Sequence, residues 1–259
     1  ADTKRITNEA ERKKREAELA MELRDPALSH LRAATGLDVE APAYVEGLIA
    51  LYEGKNDEAR EKAKAAFAQA PWMYEAKKLE ADALYAEGSK YRHDAAFDYE
   101  KMKGYFEPAA EAYASAAKMA QSDPEVHRAA CELWEKAAWA ANDKQLPLTK
   151  DLETADHACK QAVEASSRDL QARIQQALVM SARVYALRGD TSEEATRIGD
   201  DAVRMAEESV KIAGDDLMAN YALARALHLR AVLVDSQGRE ASMGPAIAAW
   251  QRVLELDPK

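Results

Sequence analysis

Histidines are the first side chains to consider, because a neutral imidazole can bind a metal ion or act as a general base near neutral pH. The chain has five, spread along its length: His30, His93, His127, His157 and His228. None belongs to an H-E-x-x-H motif or to another helical metal-binding motif. The dipeptide His93-Asp94 is similar to part of a phosphohydrolase site, but the sequence does not place the further histidines and aspartate that such a site needs. We therefore predict no metal site and no cofactor.

The other reactive side chains form no catalytic set. No serine lies in a G-x-S-x-G motif. Cys131 and Cys159 are too few for a disulfide framework and lack the spacing of zinc ligands, so we expect both to be buried as small apolar residues. Carboxylates on acidic helices usually face solvent or pair with a lysine three or four residues on. The chain is therefore predicted not to be an enzyme, and an enzyme with a site between helices is the weakest alternative.

Composition favours a soluble, all-α chain. Of the 259 residues 47% are hydrophobic and only 7% aromatic, and alanine, the best helix former, supplies much of the apolar fraction. The net charge of −10 repels a phosphate backbone, so nucleic acid is not a predicted partner. No apolar run approaches the roughly 18 residues of a membrane helix. We expect a cytoplasmic protein without membrane insertion, and the first residue, which is not methionine, suggests a mature form or a fragment.

Residues 47–71 show a regular spacing of small residues. The spacing is marked by Gly47, Ala59, Ala63, Ala66 and Pro71. The three alanines have the i, i+4, i+7 spacing of one helix face. Between them and Gly47, Gly54 can end one helix in a left-handed conformation and Asp57 can cap the next. The segment is therefore expected to be two helices that approach each other closely through small residues.

This spacing resembles the tetratricopeptide repeat (TPR), whose unit has small residues at positions 8, 20 and 27 and proline at position 32. The signature of the second helix recurs at 109–116, 155–162, 202–209 and 246–253. The resemblance implies an all-α helix-turn-helix repeat array, a TPR-like α-solenoid, of about five to six helix pairs over residues 40–259. Residues 1–39 are expected to form an N-terminal helical segment, broken at Pro26, that serves as a cap or a linker.

The repeat units beyond the first are longer than the family's unit. Counting along the chain places Ala81, Ala177 and Ala224 at position 8 of three first helices. Each of them is followed by its second-helix signature after more than the twelve residues that separate Gly47 from Ala59. Because a helix rises about 1.5 Å per residue, helices longer by two or three turns would absorb much of the difference. We therefore predict lengthened helix pairs. The helix over 125–141 cannot be aligned to the numbered positions of the repeat.

A stack of helix pairs has a curved groove lined by its first helices. In the TPR family, positions 2, 5, 9, 12 and 13 of the first helix face this groove. The resemblance implies nine such residues in this chain: Tyr44, Leu48, Leu51, Lys78, Asp82, Tyr85, Tyr221, Arg225 and His228. We predict a non-catalytic scaffold that binds a protein or peptide segment there, as part of a larger signalling protein. The alternative is a structural spacer or a self-association module.

A narrower resemblance covers about residues 70–170. Stretches such as "APWMYEAKKLEADALYAEG" and "AAEAYASAAKMAQSDPEVH" are similar to the helical region that follows the catalytic domain in bacterial eukaryotic-type serine/threonine kinases, especially those of myxobacteria. This resemblance implies that the chain is the non-catalytic portion of such a protein. A glycine-rich phosphate loop, an H-R-D-type loop and a D-F-G triplet are absent from the sequence.

Overall fold

The computed structural model describes residues 9–35, 41–92, 97–188, 192–233 and 239–258, and these residues form only helices and the turns between them. The α-helices are α1 Glu9–Leu19, α2 Asp25–Ala34, α3 Pro42–Tyr52, α4 Asn56–Gln69, α5 Tyr74–Ser89, α6 Tyr99–Met119, α7 Pro124–Asp143, α8 Thr149–Ala165, α9 Leu170–Ala186, α10 Glu193–Ile212, α11 Leu217–Leu233 and α12 Arg239–Leu256. His93 and Asp94 lie outside the described residues.

The N-terminal helices are continuous where we expected a break. A π-helical turn, Ala20–Arg24, joins α1 directly to α2, and Pro26 lies in the first turn of α2. A π turn widens the helix locally, so the proline that follows it does not end the helix. The prediction of a break at Pro26 is therefore wrong. Farther on, α2 buries Leu28 and packs against α3.

In the part of the chain that the structure describes, the remaining ten helices form five pairs, α3/α4, α5/α6, α7/α8, α9/α10 and α11/α12. The two helices of each pair pack against each other, and each second helix also packs against the first helix of the next pair. This stacking is the α-solenoid that the resemblance to the tetratricopeptide repeat implied. Gly54 ends α3 with a φ of +76°, as expected, whereas α4 begins at Asn56, so Asp57 is not its cap.

The small residues of the signature lie where helices approach most closely. Fully buried members include Ala59, Ala63, Ala66, Ala109, Ala116, Ala155, Ala162, Ala202 and Ala206. Gly47 shows the tightness of these contacts, because a Cβ atom built on it would lie 2.8 Å from Leu79 and 3.2 Å from Lys62. A larger side chain at such a place would force the helices apart.

The third pair has the same construction as the others. The eighth residue of α5, α7, α9 and α11 is Ala81, Cys131, Ala177 and Ala224, respectively, and all four are fully buried. Cys131 forms a disulfide with Cys159 of α8. The two cysteines are buried, as expected, and the bond between them was not predicted. Facing small-residue positions bring their Cα atoms to 5.2 Å, which is within the range of disulfides.

Most of the extra length of the later pairs is helical. The first pair has helices of 11 and 14 residues, whereas α6 and α10 have 21 and 20. The aromatic residues before and within α6 fill the space that this length creates. Tyr91 stacks on Tyr105 with ring centroids 5.9 Å apart, and Phe106 packs against Tyr85 of α5 at 5.3 Å. These aromatic residues are thus part of the core.

Candidate protein-binding surface

The first helices carry polar and aromatic side chains that contact one another from pair to pair. These contacts form three groups that lie one helical turn apart on α5 and α7, and we call the whole set the inner surface. It consists of Lys78, Asp82, Tyr85, Glu132, Glu135, Lys136, Trp139, Gln175 and Arg225. Its members come from α5, α7, α9 and α11. The inner surface therefore extends over four of the five pairs.

The part contributed by α5 is held by hydrogen bonds to carboxylates. Lys78 pairs with Asp82 at 3.0 Å, and the hydroxyl of Tyr113 donates to the same carboxylate at 2.6 Å. The hydroxyl of Tyr85 donates to Glu132 of α7 at 2.9 Å and so connects the second pair to the third. Burial, together with the adjacent carboxylate, raises the pKa of both tyrosines well above the usual value. Both hydroxyls therefore stay protonated donors at physiological pH.

The middle of the inner surface is partly open to solvent. Lys136 lies 2.8 Å from Glu132, and their side chains are 40% and 38% exposed. The Lys136 ammonium also lies 4.6 Å from the ring centroid of Tyr85. A cation, a carboxylate and an aromatic ring, all half-buried, therefore lie side by side on α5 and α7.

The far part of the inner surface centres on Glu135 and Trp139. Glu135 accepts hydrogen bonds from Trp139 at 3.3 Å and from Gln175 of α9 at 2.5 Å. The guanidinium of Arg225, on α11, lies 5.2 Å from the Trp139 ring centroid. Burial raises the pKa of Glu135, and the positive charge of Arg225 offsets only part of this effect. Glu135 thus connects α7 to α9 while it is poorly solvated, and Trp139 beside it contacts Arg225 of α11.

This environment predicts that Glu135→Gln makes the protein more stable at neutral pH. Because the pKa of Glu135 is raised by folding, the native state binds more protons than the unfolded state above the ordinary carboxyl pKa of about 4.3, and stability falls as the pH rises through that window. The glutamine avoids this loss. We expect a gain of up to about 1 kcal/mol at pH 7 that disappears near pH 4, measured by thermal melts across this range.

Glu132→Gln is the matched control, one helical turn away. Burial acts on Glu132 too, but Lys136 and the Tyr85 hydroxyl outweigh it and lower the pKa of this carboxyl. Its replacement should therefore destabilise the protein at neutral pH. If both glutamine variants lose stability equally at pH 7, the poor solvation of Glu135 is refuted.

Four of the nine residues implied by the family resemblance belong to the inner surface. Lys78, Asp82 and Tyr85 form its α5 part, and Arg225 forms its α11 end. The structure thus brings residues of the second and fifth pairs onto one surface through α7. That these residues bind a partner remains a prediction.

The other five residues have different surroundings. Burial and the nearby Glu75 and Asp82 raise the pKa of Tyr44 to about 12. Leu51 packs against the alanines between α3, α4 and α5, and Tyr221 lies edge-on to Trp250, 5.6 Å away. The remaining two, Leu48 and His228, are half-buried on α3 and α11. Leu51 and Tyr221 thus contribute to packing between helices, which limits what they can offer to a partner.

Sequence reasoning missed the residues of α7. Glu132, Glu135, Lys136 and Trp139 were not predicted because the third pair had no register. A usable signal is present, since Asp123 caps α7 by accepting from the amide of Glu125 at 2.9 Å and so marks where the helix begins. Counting from that cap would have assigned these positions.

A separate cleft lies outside the inner surface. This cleft, of about 700 Å³, lies between α6, α7 and α8, and its lining includes Lys118, Glu164 and His127, whose Nε2 is 3.1 Å from the carbonyl of Gln121. Within the described ranges, no group of three or more His, Cys, Asp and Glu side chains is arranged to hold a metal ion. Among the helices of the described residues, none combines the length and the apolar character needed to cross a membrane.

Solved structures of other proteins identify the fold. No protein-family model matches the sequence, and no curated protein matches it. A crystal structure of MamA superimposes with a TM-score of 0.54 at 13% identity, over 82% of this chain and 94% of that chain. YrrB, described as a TPR protein with an unusual peptide-binding site, gives 0.51 at 12% identity, over 92% and 93%.

A third similar structure is TTC0263, a thermophilic TPR protein of Thermus thermophilus. Its TM-score is 0.50 at 19% identity, and the match covers 85% of this chain and 93% of that chain. At these identities the likeness shows the fold alone. Together with the five stacked pairs and their buried small residues, it establishes that this chain has the tetratricopeptide-repeat fold.

Proposed function

We propose that the protein is a non-catalytic scaffold that binds a protein or peptide segment on its inner surface. The observation that carries this proposal is the continuity of that surface across α5, α7, α9 and α11. The charged and aromatic side chains of this surface lie beside one another and are only half-buried. The similar fold of YrrB, which is described as having a peptide-binding site, supports the same kind of function.

The residue types suit recognition of a polypeptide. Tyrosine, tryptophan and arginine are the side chains that most often anchor interfaces. Lys136 and Glu132 offer a donor and an acceptor to a peptide backbone, and Trp139 with Arg225 offers a flat surface beside them. The net charge of −10 disfavours nucleic acid as a partner.

A role within a larger signalling protein is supported by the sequence. The resemblance of about residues 70–170 to the helical region of bacterial serine/threonine kinases favours a signalling protein, in which this array would recruit a substrate or regulator. We keep the nine groove residues implied by the family as part of the proposed contact. The inner surface adds Glu132, Glu135, Lys136, Trp139 and Gln175.

The disulfide between Cys131 and Cys159 is relevant to the cellular compartment in which the protein is found. The cytoplasm keeps thiols reduced, whereas disulfides persist in oxidising surroundings. We infer that Cys131 and Cys159 are paired where the surroundings are oxidising, and that a cytoplasmic protein would hold them as two buried thiols. Acid quenching of cells followed by thiol alkylation and mass measurement distinguishes the two states.

A displayed library of random peptides tests the proposed binding. Peptides enriched on the immobilised protein should bind Arg225→Ala and Lys136→Ala at least about tenfold more weakly, since truncating an interface anchor costs on the order of 1–2 kcal/mol. Titration calorimetry with the synthetic peptides measures the loss.

Lys118→Ala is the matched control for these variants. Lys118 is exposed, but it lies on the cleft between α6, α7 and α8 and not on the inner surface. Its replacement should leave peptide affinity unchanged. Enriched peptides that bind all three variants as tightly as the native protein, or a library that yields none, would refute the inner surface as the site.

A further inference from the structure

The last second helix, α12, exposes large apolar side chains. Ile247 is 52% exposed and Leu254 64% exposed. Together with Met243 and Trp250 they follow the 4, 3, 4 spacing of a helix face, although these two side chains are half-buried and the Trp250 ring also packs edge-on against Tyr221 of α11. From Met243 to Gln251 the helix carries no charged residue, although 32% of the chain is charged. We call this the end face.

The same positions of the earlier second helices are covered by the next pair. The residues that correspond to Ile247, counted from the first alanine of each signature, are Arg60, Ala110, Asp156 and Val203, and those that correspond to Leu254 are Phe67, Ala117, Val163 and Val210. All eight of these residues are buried or half-buried, in contrast to Ile247 and Leu254.

Their contacts show what covers them. Asp156 pairs with Arg183 of α9 at 2.6 Å, and Phe67 lies under the ammonium of Lys77 of α5, 4.7 Å away. Ala117 packs with Val126 of α7, and Val203 and Val210 pack with the alanines of α11. The end face is therefore the interface between successive pairs, repeated once more with no helix of the described residues against it.

We propose that a second copy of this chain covers the end face, with the two α12 helices packed antiparallel about a two-fold axis. The apolar spacing is the same in both directions, so an antiparallel partner sets Ile247 beside Trp250 and Met243 beside Leu254. Beside this ridge lie the exposed Gly244 and Ala248, and a Cβ built on Gly244 would meet no atom within 4 Å. Each copy thus offers a ridge and a notch, which makes the face complementary to itself.

Charge and area set the strength of this contact. Each copy carries a net charge of −10, but the middle of each end face adds no repulsion because the stretch from Met243 to Gln251 is uncharged. One helix crossing is small compared with the surface of a stable dimer, so the association is weak and reversible.

Sedimentation equilibrium over a wide range of concentrations tests the proposal. The average mass of the native protein should rise with concentration and level off at twice that of one chain. Ile247→Lys and Leu254→Glu should keep that mass at the monomer value. Both side chains are exposed, so the variants should fold normally, which circular dichroism checks. Met119→Lys, which charges another exposed apolar residue, on α6, should associate like the native protein.

Three outcomes would overturn the proposal: a native protein that is monomeric throughout, end-face variants that dimerise normally, or a mass that rises beyond the dimer, as head-to-tail stacking would give. The inference does not depend on the proposed peptide binding. Ile247→Lys should bind the enriched peptides normally, and Lys136→Ala should dimerise normally, so failure of one idea is distinguishable from failure of the other.

Discussion

Replacing Phe106 with alanine is expected to lower the free energy of unfolding by about 3–5 kcal/mol, the usual loss for a large buried aromatic residue. Phe106 is 3% exposed and packs between Tyr85 of α5 and the backbone of Gly88, where a built Cβ would lie 2.7 Å from its ring. Its removal leaves a cavity that the lengthened second pair cannot close. Urea unfolding followed by circular dichroism measures the change.

Met119→Ala is the control for this variant because Met119 lies on the same helix and is exposed. Its cost should stay within about 0.5 kcal/mol. A Phe106→Ala variant that unfolds at nearly the native urea concentration would show that the aromatic residues of the second pair are not part of the core. Peptide binding should weaken together with stability, since Tyr85 is positioned by the same ring.

The pairing of the helices could be predicted because the spacing of small residues within a short stretch of sequence indicates it. Ala59, Ala63 and Ala66 share one face, and only residues of this size allow the neighbouring backbone to approach as closely as Gly47 does. The lengthening of later pairs follows from simple counting. The π-helical turn before Pro26 has no comparable signal, because a small adjustment of the backbone decides whether a proline ends a helix or is accommodated in it.

The site could be predicted only in part, for a different reason. Counting from the buried alanines assigned four inner-surface residues correctly to the first helices: Lys78, Asp82, Tyr85 and Arg225. In α7 the small position is occupied by a cysteine, which does not resemble the alanines of the other pairs, so the register was lost. As a result, the residues of α7, the helix that connects the rest of the inner surface, could not be assigned from the sequence. Contacts such as that between Arg225 and Trp139 join residues 86 positions apart and depend on the stacking of whole pairs.

Reduction of the disulfide is expected to cost roughly 3–4 kcal/mol of stability, the loop-closure value for cysteines 28 residues apart. The bond connects the two helices of the third pair at their closest approach, so its main effect is to restrict the unfolded chain. Because this pair is the middle one of five, its loosening should also weaken the contacts on both sides. Urea unfolding of the native protein with and without a phosphine reductant measures the difference.

The control is the double variant Cys131→Ala, Cys159→Ala. Alanine is already present at the corresponding positions of other pairs, as Ala177 and Ala206 show, so the variant should fold with normal packing. It should unfold near the urea midpoint of the reduced native protein and should not respond to the reductant. Two free thiols in the native protein after unfolding without reductant would contradict the bond. A reductant effect of equal size in the variant would show that the loss does not come from these cysteines.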